Sequence, residues 1–173
     1  QGIEWDKLTV QQILKQQLSE KIYNKIKSVP VQTNNHHLSH AAAGFQTSPY
    51  NDATVVVIDA IGEFDTISIW HAEYDKLGYA TYKRLWRQKY PHSMGLFYSA
   101  MTKRAGLKPL DEEYILMGMA AYSLPKFDMI NDFVEDRAEI KFKENLHLGC
   151  DDYDPKMSDY QVAASAQSVL ETL

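Results

Sequence analysis

The sequence predicts an α/β domain, a mixed sheet with flanking helices, and three observations predict it. Residues 28–33 read as a short extended segment, His36 to Phe45 as a helix, and Thr54-Val-Val-Val-Ile58 as a strand apolar on both faces. That order is a strand–helix–strand unit, whose strands are expected to be parallel, joined right-handedly and, for the second, covered on both faces. After Asp59, Thr66 to Tyr74 and Tyr79 to Arg87 read as two further strands joined at Asp75-Lys-Leu-Gly78. Apolar residues at helical spacing then follow two serines, Ser93 and Ser158.

The elements follow in order. Thr9 with Gln12 has the form of a capping box, and Val10, Ile13, Leu14, Leu18, Ile22 and Ile26 then make one helical face to about Lys27. Asn34 and Asn35 can cap the helix from His36, which is expected to stop before Pro49. Ala60-Ile-Gly-Glu63 reads as a tight turn leading into the strand pair. Ser93 caps a helix carrying Leu96, Phe97, Ala100 and Met101, which ends at Gly106. Further helices are expected over 111–121 and 126–135, and a small hairpin over 138–148. Ser158 with Gln161 starts a last helix, whose stripe Val162, Ala163, Ala166, Val169, Leu170 and Leu173 runs to the final residue. A stripe without a stop signal wants a partner outside the chain, and position 1 is Gln1 rather than Met. The chain therefore reads as one incomplete domain, 1–173, of a longer protein.

Composition narrows the function. The 173 residues are 45% apolar and 24% charged, in the range of a soluble globular domain. A net charge of −5 gives no chain-wide attraction to nucleic acid or an anionic membrane. The lone Cys150 excludes an internal disulfide framework and fits a reducing compartment. No apolar run is long enough to span a bilayer and no signal peptide is visible, so a cytoplasmic location is expected.

The chemistry concentrates in His36-His-Leu-Ser-His40. Residues four apart stand on one helix face, about 6 Å apart at the backbone, so His36 and His40 can converge on one ion. His37 points elsewhere. In the strand–helix–strand reading, His36 and Asp59 lie at the carboxyl ends of neighbouring parallel strands, the sheet edge where open α/β folds bind ligands. A carboxylate ending an apolar strand also calls for a partner or a metal. Capping or surface histidines and an ordinary turn aspartate are the alternative reading. Two imidazoles and one carboxylate would leave open coordination positions, as in catalytic Fe(II) and Zn(II) sites. The Gly62-containing turn could present backbone N–H groups to a phosphate, or be a plain hairpin turn.

Four segments occur in one order: His36-His-Leu-Ser-His-Ala-Ala42, Val57-Ile-Asp-Ala-Ile-Gly-Glu63, Pro91-His-Ser-Met-Gly-Leu-Phe-Tyr-Ser99 and Glu113-Tyr-Ile-Leu-Met-Gly-Met-Ala-Ala-Tyr122. Together they resemble the nodulation-type and antibiotic-tailoring O-carbamoyltransferases, with a looser likeness at Val162-Ala-Ala-Ser-Ala-Gln-Ser-Val169. The resemblance implies part of an amino-terminal domain with the actin-like ATPase fold of sugar kinases. It implies metal ligands at His36, His40 and Asp59, also the catalytic centre, and nucleotide contacts at Gly62, Glu63 and Glu113. The implied cofactors are a divalent metal, with Fe2+ favoured over Mn2+ or Zn2+, and ATP in the form of carbamoyl-adenylate. The implied partners are carbamoyl phosphate, a small-molecule hydroxyl acceptor, and a carbamoyl-adenylate-forming domain in the remainder of its own chain. A further metal Asp and an opening pair of strands in the family pattern are expected beyond the two ends. Neither membrane nor nucleic acid is an expected partner.

Departures from the pattern are local. Ala60 stands where the family has glycine, and alanine takes positive φ badly, so no backbone phosphate contact is expected there. Ile115 replaces a lysine, and Ala121-Tyr-Ser123 replaces Pro-Tyr-Gly. His92 is expected to hold a turn, and Lys83, Arg87 and Lys89 to share one face of a solvated strand edge with Arg84 nearby. Two other readings remain: a threonylcarbamoyl-transferring tRNA-modification subunit of the same fold, and a non-catalytic ATP-binding module.

Overall fold

The computed structural model describes residues 10–30 and 32–173, and the chain divides into two compact units, 1–34 and 35–173. In the first, the single expected helix is two: α1 (Val10–Gln17) and α2 (Glu20–Ile26). Ser19 takes extended backbone (φ −61°, ψ 149°) and starts α2 afresh at the N-cap position, although its side chain makes no capping hydrogen bond. Thr9, the expected cap of α1, lies outside the described residues. The strand expected over 28–33 is not formed among the described residues. Pro30 has no N–H to give to a ladder, and Val31 is outside the description.

In the second unit, α3 (His36–Gln46) runs into β1 (Asp52–Gly62), β2 (Asp65–Tyr74) and β3 (Ala80–Lys89). The three strands form an antiparallel meander in the order β1-β2-β3, with no parallel pair among the described residues. The expected mixed sheet and its parallel strand–helix–strand unit are therefore replaced by a helix that returns over an antiparallel edge strand. Nor is β1 doubly covered. Val57 is buried in a small core with Ala41 and Trp70, while Val56 and Ile58 stay more than half exposed on the other face.

A bulge corrects the expected basic face of β3. Ile69 pairs with Trp86 but Trp70 pairs with Arg84, so Leu85 is an extra residue and the side-chain alternation reverses there. Arg84 and Arg87 thereby share a face and both reach the buried Asp65, at 3.3 and 3.5 Å, while Lys83 lies on the other face. Arg84 also lies over the Trp70 ring at 5.6 Å, so this edge is paired rather than merely solvated.

The larger core lies among the helices. Ser93 caps α4 (Met94–Arg104) by accepting from Leu96 N, as read from the sequence, and Gly106 turns the chain at φ 75°. α5 (Glu113–Met119) ends in a short 3-10 turn, and α6 is only Met129–Phe133. The hairpin comes earlier than expected, as β4 (Val134–Asp136) and β5 (Lys141–Phe142), because Phe133-Val134 already leaves the helix for extended backbone. Ser158 caps α7 (Asp159–Thr172) through Gln161 N. Its stripe finds its partners inside the chain, contrary to expectation: Val162, Ala163, Ala166 and Val169 pack in one core with Phe97, Met101, Leu116, Met129 and Phe133. Cys150 is half-buried, and burial, with Glu144 and Asp151 adding to it, pushes its thiol up to about 11, which disfavours the reactive thiolate.

Candidate metal centre

Asn35 fixes the start of α3. Its backbone is extended (φ −61°, ψ 136°) and its side-chain oxygen accepts from Leu38 N at 3.0 Å, one of the donors a helix N-terminus leaves over. His36 and His40 then stand one turn apart, with their Nε2 atoms 3.0 Å from each other. Because α3 runs back over β1, its first turn lies above the far end of that strand. Asp59 shares the α3-facing side of β1 with Val57, two residues before it.

The geometry closes on Asp59 Oδ2, which is 2.9 Å from His36 Nε2 and 3.8 Å from His40 Nε2. Asp59 Oδ1 is already occupied, accepting from Ala60 N at 2.7 Å, so a single oxygen is left to face the imidazoles. Ligand atoms each about 2.1 Å from an ion stand roughly 3.0–3.4 Å apart at octahedral to tetrahedral angles; two of the three separations match, and a few tenths of an ångström of movement by the exposed His40 would bring in the third. All three side chains reach solvent, which leaves positions open.

His37 does point away, as expected, but into a fully buried position that the sequence did not reveal. Trp70 Nε1 donates to Ser68 Oγ at 2.7 Å, and Ser68 Oγ lies 2.6 Å from His37 Nδ1. Ser68 Oγ has two lone pairs and one hydrogen, so it can accept from the indole and still either donate to or accept from His37 Nδ1, which leaves His37 Nε2 as the other ring nitrogen. Among the described residues that Nε2 has no hydrogen-bond partner. Burial holds the His37 imidazolium below its ordinary value of 6.5, against the pull of the Asp65 and Asp59 carboxylates.

The turn after β1 completes the rim. Gly62 is buried where a Cβ would stand 2.5 Å from His37 Cδ2 and 2.7 Å from His36 Cδ2. Glu63, at φ 61°, holds the turn in the left-handed region, and its Oε2 accepts from Asn35 Nδ2 at 3.3 Å. Asn35 thus caps the helix with one atom and ties the turn to it with the other. Asn35→Asp is expected to keep the cap and the denaturation midpoint, yet to weaken metal binding about tenfold by setting two carboxylates against each other. Adding Glu63→Gln, whose amide can donate to the new carboxylate, should restore the affinity. Isothermal titration of the two proteins with Mn2+ decides it, and an unchanged affinity in the single variant would reduce Asn35 to a cap.

Glu113 lies elsewhere. Burial alone would raise its carboxyl, but hydrogen bonds from Ser99 (2.7 Å) and Leu110 N (2.6 Å) hold it below the ordinary carboxylate value. It lines a cleft of about 430 Å³ with Ile58, Ala60, Tyr98 and Leu170. Ile58 and Ala60 leave β1 on the face opposite Asp59, so the structure gathers His36, His40, Asp59, Gly62 and Glu63 but not Glu113. Ala60 is not strained: it is a β1 residue without positive φ. The glycine this contact requires is Gly95 on α4, where a Cβ would come within 2.8 Å of Ala60 Cα. His92 holds a turn, as expected: its Nδ1 accepts from Phe142 N and its carbonyl from Thr66 Oγ1.

Comparison with known proteins gives this chain a family. The protein-family model described as carbamoyltransferase N-terminus matches residues 4–171. The "Uncharacterized protein sll1178" of Synechocystis sp. is 39% identical over 144 residues, covering 82% of this chain and 23% of that protein. The "Uncharacterized protein MJ1058" of Methanocaldococcus jannaschii is 27% identical over 109 residues, covering 56% of this chain and 17% of that protein. The chain spans less than a quarter of the length of these relatives. With a family match over nearly all of its residues, the chain belongs to the carbamoyltransferase amino-terminal family.

Proposed function

We propose that this chain is the metal- and nucleotide-handling part of an O-carbamoyltransferase of the nodulation and antibiotic-tailoring type. In the reaction, the oxygen of an acceptor hydroxyl bonds to the carbonyl carbon of carbamoyl-adenylate. The bond from that carbon to the phosphate oxygen breaks, AMP leaves, and the hydroxyl proton is released. The observation that carries the reading is the convergence of two imidazole nitrogens and one carboxylate oxygen, all within 4.8 Å of one another, at an accessible edge of the sheet.

His36, His40 and Asp59 would hold the ion, Fe2+ by preference, with Mn2+ or Zn2+ as substitutes. A divalent ion there supplies Lewis-acid polarisation of the carbonyl or orientation of the phosphate. The chain's own residues do the rest. Ala60 N fixes the Asp59 carboxylate, Asn35 and Glu63 seat the turn, and the α3 N-terminus, with no acidic residue in its first turn, favours an anion beside it. Gly62 and Glu63 line the approach, while Glu113 would act on the nucleotide only from the opposite face of β1.

Carbamoyl phosphate and ATP would be joined by an adenylate-forming domain in a longer chain, consistent with the length of the relatives. The domain would then be one portion of an actin-like ATPase fold, working in the cytoplasm. Among the described residues no helix is long and apolar enough to cross a membrane. The test supplies the longer protein with carbamoyl phosphate, ATP and Fe2+, and follows AMP release and carbamoylation of a hydroxyl acceptor. Metal-dependent transfer supports the proposal. Transfer only to tRNA would favour the modification-subunit reading, and nucleotide binding without a metal would favour the non-catalytic module.

A further inference from the structure

A second group of metal-type donors lies on the same hairpin, away from the first centre. Asp52 opens β1, and Glu73 stands directly opposite it on β2. His71, two residues before Glu73 and therefore on the same face, is opposite Thr54 and diagonal to Asp52. The His71 Nε2 atom sits almost equally between the two Asp52 oxygens, at 3.2 and 3.3 Å. One ligand atom from each of Asp52, His71 and Glu73 lies within 4.8 Å of the other two.

Like charges directly opposite each other destabilise a strand pair, so Asp52 facing Glu73 calls for positive charge between them. The neighbouring cation across β3 is Lys83, opposite His71, and among the described residues it makes no ion pair with either carboxylate. The imidazole separates this group from an ordinary acidic patch. One nitrogen and two carboxylate oxygens suit a divalent transition ion, whereas Ca2+ and Mg2+ favour all-oxygen shells. We propose that Asp52, His71 and Glu73 form a second divalent-cation site, a clip across the open end of the β1–β2 hairpin that takes Zn2+ or an ion of its class.

The two sites are independent. Asp52 and Asp59 are seven residues apart on β1, about 23 Å at 3.3 Å per residue, and lie on opposite faces of the strand. The experiment is calorimetric titration of the full chain with Zn2+ alone. Wild type should take two equivalents. The His36→Ala/His40→Ala protein should keep one, and Asp52→Asn or His71→Ala in that background should weaken the remaining site at least tenfold. Mg2+ at tenfold excess should not displace the ion. Asp52→Asn is nearly isosteric at an exposed position, so loss of binding there cannot be loss of folding. The inference is overturned if the His36→Ala/His40→Ala protein binds no Zn2+, or if the site left in it ignores both added substitutions. Failure of the double variant to lose an equivalent would instead count against the first centre.

Discussion

His36→Ala and His40→Ala should each empty the α3–β1 centre of its divalent ion and abolish carbamoyl transfer in the longer enzyme, without unfolding this unit. Each removes one of three donors, and a set of two leaves an ion only weakly held. Loss of a ligand should exceed the ten- to hundredfold effect typical of supporting groups. Both side chains are about half exposed, so their truncation leaves little cavity and the denaturation midpoint should stay near wild type. Asp59→Asn is the sharper probe. The amide oxygen can still accept from Ala60 N, which keeps the backbone in place, while the NH2 group it turns toward the imidazoles cannot ligate. His37→Ala should behave in the opposite way. It loses the Ser68 hydrogen bond and opens a cavity in a fully buried position, costing about 2–4 kcal/mol of stability. Bound metal measured by mass spectrometry, beside urea denaturation, separates the two behaviours. Retention of the ion in all three ligand variants would make the cluster a hydrogen-bonded structural knot.

What is legible in the sequence is what local chemistry decides. Asn35, Ser93 and Ser158 cap their helices as read, because a cap is settled within four residues. His36 and His40 meet because helical spacing brings them together, and Asp59 joins them from the far end of an apolar strand. The route to that meeting is not local. The sequence suggests a parallel strand before α3 that brings two strand ends together, whereas α3 simply folds back over β1, and among the described residues the segment around Pro30 joins no ladder. Strand partners are distant in sequence, so alternation alone cannot tell a doubly covered strand from an edge strand with Val56 and Ile58 in the open. The Leu85 bulge, which turns Arg84 toward Asp65, leaves no mark in a run of basic and aromatic residues. His37 is hidden for a related reason. Which face of α3 meets the sheet depends on Ser68 and Trp70, about thirty residues on. The one available signal is the glycine that ends β1, since a glycine before a turn residue leaves room for something to approach.

That glycine carries the second large expectation. Gly62→Ala places a methyl group 2.5 and 2.7 Å from two atoms of the His37 ring and 2.7 Å from the His36 ring, distances at which something must shift. His37 cannot yield easily, being fully buried and held by Ser68. His36 can, because it is partly exposed and its polar contacts among the described residues are to His40 and Asp59. The strain should therefore fall on the ligand: overpacking of this kind costs about 1–3 kcal/mol, and the cheapest relief turns His36 out of line with Asp59. The variant should fold, with a lowered denaturation midpoint, and bind Mn2+ at least tenfold more weakly although all three ligands are present. Gly44→Ala is the matched control on α3. Its Cβ would meet Val55 Cγ1 at 3.9 Å, an ordinary contact, so the helix should gain about 0.5–1 kcal/mol with metal affinity unchanged. Wild-type affinity in Gly62→Ala would mean that the hairpin end can retreat from both rings, and that the close approach of Gly62 does not set the position of His36.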